Sequence, residues 1–175
     1  MKTLIIVDMQ NDFITGPLGT PEARLIEQKI VDEIDFSSYQ QIFLTRDTHG
    51  YDYFDIMEGK KLPIEHCRYD TSGWEISDKI MEKIKNSNVE YNCFNKYYFG
   101  YINWRPRLWM IKPEDEIDII GVCTDVCIVS NALILKTLFS ENTIKILAKF
   151  CAGTTPEMHD KALDVMKSCQ IDIVY

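Results

Sequence analysis

A cysteine near the start of a helical segment is the side chain of this sequence best suited to nucleophilic chemistry. The apolar run at residues 117–120 predicts a buried strand that ends at Gly121, and apolar spacing over residues 131–138 predicts a helix that carries Cys127 in its first turn. Free N–H groups and the dipole at a helix N-terminus favour the thiolate, the nucleophilic form of cysteine. The same pattern is compatible with a buried cysteine that packs as a small hydrophobic residue.

Three charged side chains come shortly after other runs that predict strands, namely Asp8, Asp47 and Lys96. The carboxyl ends of parallel strands meet at one edge of a sheet, so we expect these side chains and Cys127 to converge there. A carboxylate beside a thiol can accept its proton, and a nearby cation stabilises the thiolate. A single aspartate more often caps a turn, and a single lysine is more often a solvated surface charge. Their joint occurrence at strand ends favours an active site.

Strand and helix patterns alternate along the chain, and the elements must position these residues. Strands are predicted at residues 3–7, 41–45, 89–94, 117–120, 143–147 and 171–174, and helices at 21–34, 74–85, 105–111, after Gly121, and at 156–169. This alternation predicts an α/β fold with a six-stranded, mainly parallel sheet between two helical layers, in one domain over residues 1–175. Residues 46–73 are polar and irregular, and such a long connection favours a functional loop.

Composition excludes several classes of protein. The chain has 27 acidic and 19 basic residues and a net charge of −8, which argues against a nucleic-acid partner. No apolar run reaches membrane-spanning length, and the N-terminal run stops at Asp8, too early for a signal-peptide core. The six cysteines contain no CxxC pair. We therefore expect reduced thiols in a cytoplasmic protein with no membrane partner.

Three motifs together carry a family resemblance. They are the segment IVDMQNDF at residues 6–13, Lys96, and the segment GVCTDVC at residues 121–127. These resemble the motifs of the isochorismatase-like cysteine hydrolases, a family that includes the nicotinamidases, and the resemblance runs along nearly the whole chain. It implies the family's α/β fold with a six-stranded parallel sheet. It also implies that Cys127 is the nucleophile, that Asp8 takes its proton and later protonates the leaving amine, and that Lys96 is the cation beside them.

The resemblance further implies how the carbonyl oxygen of a substrate is held. A cis peptide bond is expected between Val122 and Cys123. The backbone N–H groups of Cys123 and Cys127 are expected to form the oxyanion hole, so that the Cys123 thiol takes no part in the reaction.

The substrate pocket is expected to contain aromatic side chains. Phe13 matches a pocket residue of the family, while Trp74 and Phe99 are further candidates, together with Tyr97, Tyr98 and Trp104. For any single aromatic residue, packing in the core is the commoner role. The chain also departs from the nicotinamidase pattern, because Leu62 and Pro63 replace the usual Trp-Pro and one extra residue precedes His66.

The polar loop resembles the metal motif of the nicotinamidases. Asp47, His49 and His66 match its ligands for a divalent ion, for which we expect zinc, with Glu58 as a fourth ligand and Asp55 as its rival. Oxygen and imidazole ligands that leave positions open to water suit a catalytic site. The alternative is a polar loop whose histidines are solvated or cap helices.

The resemblance thus implies a cysteine amidohydrolase that forms a thioester with a small carboxamide, releases ammonia and hydrolyses the thioester. Nicotinamide is the leading substrate, and another small amide, ureide or carbamoyl compound is the alternative. A catalytically inactive metal-binding or interaction protein is a second alternative. A redox protein that uses Cys123 and Cys127 is disfavoured because their spacing is not that of a CxxC motif. We also expect a homo-oligomer.

Overall fold

The computed structural model describes residues 1–175 and contains one six-stranded sheet. Its strands are β1 (Lys2–Val7), β2 (Gln41–Asp47), β3 (Tyr91–Lys96), β4 (Glu116–Val122), β5 (Thr143–Ala152) and β6 (Asp172–Val174). The strand order is β3-β2-β1-β4-β5-β6, and all neighbouring strands are parallel. The predicted α/β fold with a mainly parallel sheet is confirmed.

The chain forms seven α-helices. They are α1 (Asn11–Ile14), α2 (Pro21–Glu33), α3 (Met57–Lys61), α4 (Asp78–Asn86), α5 (Trp104–Arg107), α6 (Val129–Leu138) and α7 (Pro156–Ser168). Helix α2 packs against α1, α4 and β5, whereas α6 packs against α5, α7 and β5. The helices therefore form two layers, one on each face of the sheet, and β1 is buried between them from Leu4 to Val7. No helix is both long enough and apolar enough to cross a membrane.

Several predicted element boundaries are wrong. Strands β2 and β3 extend further than predicted, because Asp47 and Lys96 still pair with each other across the two strands. The helix predicted at residues 74–85 begins only at Asp78, since residues 72–74 form a turn and Ile76 forms a β-bridge with Gln10. The loop at residues 46–73 contains the short helix α3, which sequence periodicity did not reveal.

The close approach of β1 and β4 near the site requires a glycine. Gly121, near the end of β4, has a φ of +123°, and a Cβ built on it would lie 2.1 Å from the carbonyl oxygen of Val7 on β1. Only glycine accommodates both the backbone conformation and this contact. Strand order reverses between β1 and β4, which is where ligands bind in open parallel sheets.

Candidate active site

A cavity of about 540 Å³ opens at the carboxyl edge of the sheet. Its lining is mixed: the apolar side chains include Phe13, Leu18, Leu62, Phe99 and Val126, and the polar ones include Asp47, Glu58, His66, Cys127 and Thr154. Such a volume and such a mixture of apolar walls with a few polar groups are typical of sites for small molecules.

Asp8, Lys96 and Cys127 come together beside this cavity. The Lys96 Nζ lies 2.7 Å from Asp8 Oδ2, 3.1 Å from Asp47 Oδ1 and 3.5 Å from Cys127 Sγ. All four side chains are buried, so their charges interact with little screening by water. The ammonium group is therefore shared by two carboxylates and the thiol.

The sheet holds Asp8 in a conformation that is unusual for a residue with a side chain. Asp8 follows β1 with a φ of 51°, in the left-handed region. Its backbone N–H donates to the carbonyl oxygen of Thr45 on β2, and its Oδ1 accepts a hydrogen bond of 2.7 Å from the Thr45 hydroxyl. Such a strained residue persists only where its surroundings fix it, and it often marks a functional site.

Cys127 lies in a π-helical turn, Thr124–Ile128, that connects β4 to α6. The turn is closed by a hydrogen bond of 3.0 Å from the Ile128 N–H to the Cys123 carbonyl oxygen. The Val122–Cys123 peptide bond at its start is cis. Cys127, which was predicted in the first turn of the following helix, instead lies in the π-helical turn just before α6 begins at Val129. Such π-helical turns occur frequently at functional sites.

Burial dominates the chemistry of the Cys127 thiol. Burial raises the pKa of this thiol well above its ordinary value, Lys96 opposes that effect, and the charge of Asp8 reinforces it. The direction of this shift favours the neutral thiol, whereas the helix N-terminus alone would favour a thiolate. The thiol must lose its proton to a neighbouring group in order to attack a substrate.

Asp8 and Lys96 have complementary protonation properties. Burial raises the pKa of Asp8, although Lys96 acts in the opposite direction. Burial disfavours the Lys96 cation, but the neighbouring Asp8, Cys127 and Asp47 outweigh it and raise the pKa of Lys96 well above its usual value. Lys96 stays a cation, and a carboxyl group with a raised pKa suits a proton carrier between a thiol and an amine.

The residues predicted as metal ligands form a second cluster. One ligand atom from each of Asp47, His49, Glu58 and His66 lies within 4.8 Å of all the others. The Nε2 atoms of both histidines are 3.7 Å from Glu58 Oε1, and they lie 3.0 Å and 3.5 Å from Asp47 Oδ2. Asp55, the rival to Glu58, is not part of this group.

The donors of this second cluster fit a divalent ion. The Nδ1 of His66 hydrogen-bonds the Ile64 carbonyl oxygen at 2.8 Å, which makes Nδ1 the donor and directs the lone pair of Nε2 towards the cluster. Two imidazoles and two carboxylates are a ligand set suited to zinc or manganese. Burial opposes ionisation of Asp47, but Lys96 and the two histidines lower its pKa, so its carboxylate serves both clusters.

The aromatic residues predicted for the pocket divide into two groups. Phe13 and Phe99 line the cavity. Trp74 does not, because its indole N–H donates to Thr48 Oγ1 and its ring stacks on the Arg46 guanidinium at 3.5 Å. The remaining candidates are also outside the main cavity: Trp104 is buried in the core, and Tyr97 and Tyr98 line a shallow neighbouring depression.

Sequence reasoning missed much of the apolar wall. Leu18 and Val126 line the cavity from two different segments, and Leu62 lines it from the Leu-Pro position that departs from the family pattern. The polar Thr154 lines the cavity as well. Nothing in the local pattern distinguishes these residues from ordinary core or loop positions.

The comparisons with known proteins agree with this geometry. A model of the isochorismatase domain matches residues 2–174. The chain is 24% identical to the nicotinamidase of Saccharomyces cerevisiae in an alignment of 215 positions, gaps included, that covers 99% of each protein. It superimposes on a nicotinamidase/pyrazinamidase from Bacillus subtilis with a TM-score of 0.81 and 25% identity, covering 99% of each chain. The pyrazinamidase of Pyrococcus horikoshii in complex with zinc gives a TM-score of 0.74 at 24% identity, covering 99% and 98%. Because the family model spans almost every residue, this chain belongs to the isochorismatase domain family.

Proposed function

We propose that the protein hydrolyses nicotinamide to nicotinate and ammonia through a thioester on Cys127. The observation that carries this proposal is the buried contact of Lys96 Nζ with Asp8 at 2.7 Å and with Cys127 Sγ at 3.5 Å, beside a cavity with apolar walls. The full-length similarity to proteins named nicotinamidase supports nicotinamide as the substrate.

The first half of the reaction forms the thioester. Cys127 Sγ attacks the carboxamide carbon, and its proton passes to Asp8, which Lys96 keeps in position. The negative charge that develops on the carbonyl oxygen is stabilised by the backbone N–H groups of Cys123 and Cys127. The C–N bond then breaks while Asp8 returns the proton to the leaving nitrogen, and ammonia departs.

The second half restores the enzyme. Water attacks the thioester carbon and gives up a proton to Asp8, and the C–S bond breaks to release the carboxylic acid. The proton held by Asp8 returns to the Cys127 sulfur. The raised pKa of the thiol favours this return, so the cycle ends with the neutral thiol from which it began.

We also propose that Asp47, His49, Glu58 and His66 hold a divalent ion, most simply zinc. The zinc complex of the Pyrococcus horikoshii pyrazinamidase supports this choice. When bound, such an ion would supply a positive charge that orients a polar atom of the substrate and offsets the charge of Asp47. Phe13 and Phe99 line the same cavity as Asp47, Glu58 and His66, so they would contact the ring of a substrate held there.

Ammonia release from nicotinamide by the purified protein is the direct test. We expect turnover by the wild-type protein, none by Cys127→Ala, and much of the wild-type rate in Cys123→Ala, because only the backbone of Cys123 takes part. A wild-type protein that releases no ammonia from nicotinamide, yet releases it from another amide or a carbamoyl compound, would retain the chemistry and overturn the substrate assignment.

A further inference from the structure

Asn131 on α6 is a buried amide whose hydrogen bonds join the nucleophile to one wall of the cavity. Its Oδ1 accepts hydrogen bonds from the Tyr101 N–H at 2.9 Å and the Trp104 Nε1–H at 3.0 Å. Its Nδ2 donates to the carbonyl oxygens of Cys127 at 2.8 Å and Phe99 at 3.3 Å. An amide side chain offers two donor hydrogens and two acceptor positions, so the bonding capacity of Asn131 is filled.

Two of the four partners of Asn131, Phe99 and Tyr101, lie in the connection between β3 and α5. A third, Trp104, is the first residue of α5. This connection, residues 97–103, is called the Phe99 segment here, and it contains neither helix nor strand. Its position therefore depends on side-chain contacts. The Tyr101 ring stacks on Phe94 with centroids 5.2 Å apart, and a Cβ on Gly100 would lie 2.5 Å from Ile134 Cδ1 of α6.

The Phe99 side chain is held less firmly than its backbone. Phe99 lines the cavity, but 46% of the residue remains exposed, so packing alone does not fix its ring. Two hydrogen bonds, from Asn131 to the Phe99 carbonyl oxygen and from the Tyr101 N–H to Asn131, fix the backbone immediately after the Phe99 side chain. The same amide holds the carbonyl of Cys127, the residue that must reach the substrate carbon.

We propose that Asn131 is a positioning residue that sets the distance between the Phe99 ring and the Cys127 sulfur. This inference rests on the proposed function, in which a substrate ring lies against Phe99 while its carboxamide reaches Cys127. A single rigid amide that bonds the backbones of Phe99 and Cys127 holds the ring-binding residue and the nucleophile at a fixed separation. A misplacement of about 1 Å by a residue remote from the chemistry can cost roughly 10²-fold in rate.

The first test compares two buried asparagines. Asn131→Ala should lower kcat/KM for nicotinamide by roughly 10²-fold, chiefly through KM, because the Phe99 segment loses its link to Cys127. The matched control is Asn142→Ala, since the buried Asn142 donates to the carbonyl oxygens of Lys112 and Asp115, which do not line the cavity. It should reduce thermal stability and leave kcat/KM within about twofold of the wild type. Equal kinetic losses in both variants would reduce Asn131 to a structural residue.

A double-mutant cycle with Phe99→Ala separates positioning from general loosening. The Phe99→Ala change keeps the backbone carbonyl that Asn131 bonds, and it removes only the ring. If Asn131 acts through that ring, Asn131→Ala should raise KM far less in the Phe99→Ala background than in the wild type. If the two substitutions raise KM by independent factors that simply multiply in the double variant, the proposal is contradicted.

Hydrogen exchange gives a readout that does not depend on activity. The hydrogen-exchange rate of the Tyr101 amide, which donates to Asn131, should rise in Asn131→Ala and stay at the wild-type value in Asn142→Ala. A wild-type protein without nicotinamidase activity would overturn the proposed function alone, whereas unchanged Tyr101 exchange would overturn this inference. If Asn131→Ala does not fold, Asn131→Thr replaces it in each test, because it fills more of the buried space than alanine and its single donor hydrogen cannot serve the Cys127 and Phe99 carbonyl oxygens together.

Discussion

At the scale of single residues, the position of Lys96 determines how the site can work. Its ammonium group contacts Asp8 and Asp47 and lies 3.5 Å from the Cys127 sulfur, and the residue is only 2% exposed. Burial, reinforced by the charges of Asp8 and Asp47, raises the pKa of the Cys127 thiol, although Lys96 acts in the opposite direction. Sequence reasoning identified these residue types, but it could not weigh burial against the helix N-terminus.

Replacing Lys96 with methionine should affect both rate and stability. We expect kcat for nicotinamide to fall by roughly 10²–10⁴-fold, the range for a lost acid–base partner. The free energy of unfolding should also fall, because Asp8 and Asp47 would be left as buried carboxylates without their cation. Steady-state kinetics and urea unfolding measure the two effects.

A matched control for Lys96→Met is available elsewhere in the sheet. Asp118 is buried on β4 and is bonded by Lys2 and the Tyr39 hydroxyl, none of which lines the cavity. Asp118→Asn should lower stability and leave kcat unchanged. A Lys96→Met enzyme with wild-type kinetics would remove Lys96 from the mechanism.

The order in which the cysteines are labelled should depend on the exposure of their side chains and not on their proposed roles. Cys169 is exposed, whereas Cys127 is buried and has a raised pKa. We therefore expect a limiting amount of a small alkylating reagent to modify Cys169 first, while activity is retained until Cys127 reacts. Peptide mass spectrometry alongside residual activity tests this order. Loss of activity in proportion to Cys169 labelling would contradict it.

At the scale of secondary structure elements, the junction of β1 and β4 aligns Asp8 with the Cys127 turn. Gly121 pairs with Val7 in this junction, at the point where the strand order reverses. The close approach of these strands places their following residues at one edge of the sheet. The geometry of the cluster formed by Asp8, Lys96 and Cys127 therefore depends on the backbone contact between Gly121 and Val7.

Gly121→Ala should be severely destabilising. The added Cβ would meet the Val7 carbonyl oxygen at 2.1 Å, and φ at this position is +123°. We expect a loss of roughly 3 kcal/mol or more in the free energy of unfolding. Gly50→Ala is the control, because there the nearest atom belongs to the flexible side chain of Asp52. Similar unfolding midpoints for the two variants would show that β1 and β4 can separate without cost.

Some strands and helices could be predicted from the sequence, and others could not. Strands β1, β2 and β4 were predictable because their apolar runs are buried on both faces, as at residues 4–7 of β1. The end of β3 was not, because Asn95 and Lys96 are polar and remain in the strand only through pairing with β2. Helix α3 has five residues, too few for apolar periodicity to identify it.

At the scale of the whole molecule, parallel strand ends and one long loop supply two adjoining clusters. The cluster of Asp8, Lys96 and Cys127 was predictable in outline, since all three residues follow or end parallel strands. The apolar wall was not, because Leu18, Leu62 and Val126 meet only through tertiary folding. Asp47 is the residue common to both clusters, through Lys96 on one side and His49 on the other.

The stability of the whole protein should consequently respond to a divalent ion. If Asp47, His49, Glu58 and His66 bind zinc in the folded state only, zinc at about 100 times its Kd should stabilise the fold by roughly 2.7 kcal/mol. Thermal unfolding after chelation and after readdition of zinc measures this change, with elemental analysis giving the stoichiometry.

The His49→Ala variant provides the control for that measurement. His49 is buried and contributes one of the four ligand atoms, so its loss should abolish most of the zinc-dependent rise in Tm. His159→Ala is the matched change, because His159 bonds the Thr124 hydroxyl and is not one of the four ligands. It should keep the full response to zinc. A protein purified without chelator that contains less than roughly a tenth of an equivalent of metal, and whose Tm ignores added zinc or manganese, would reject the site.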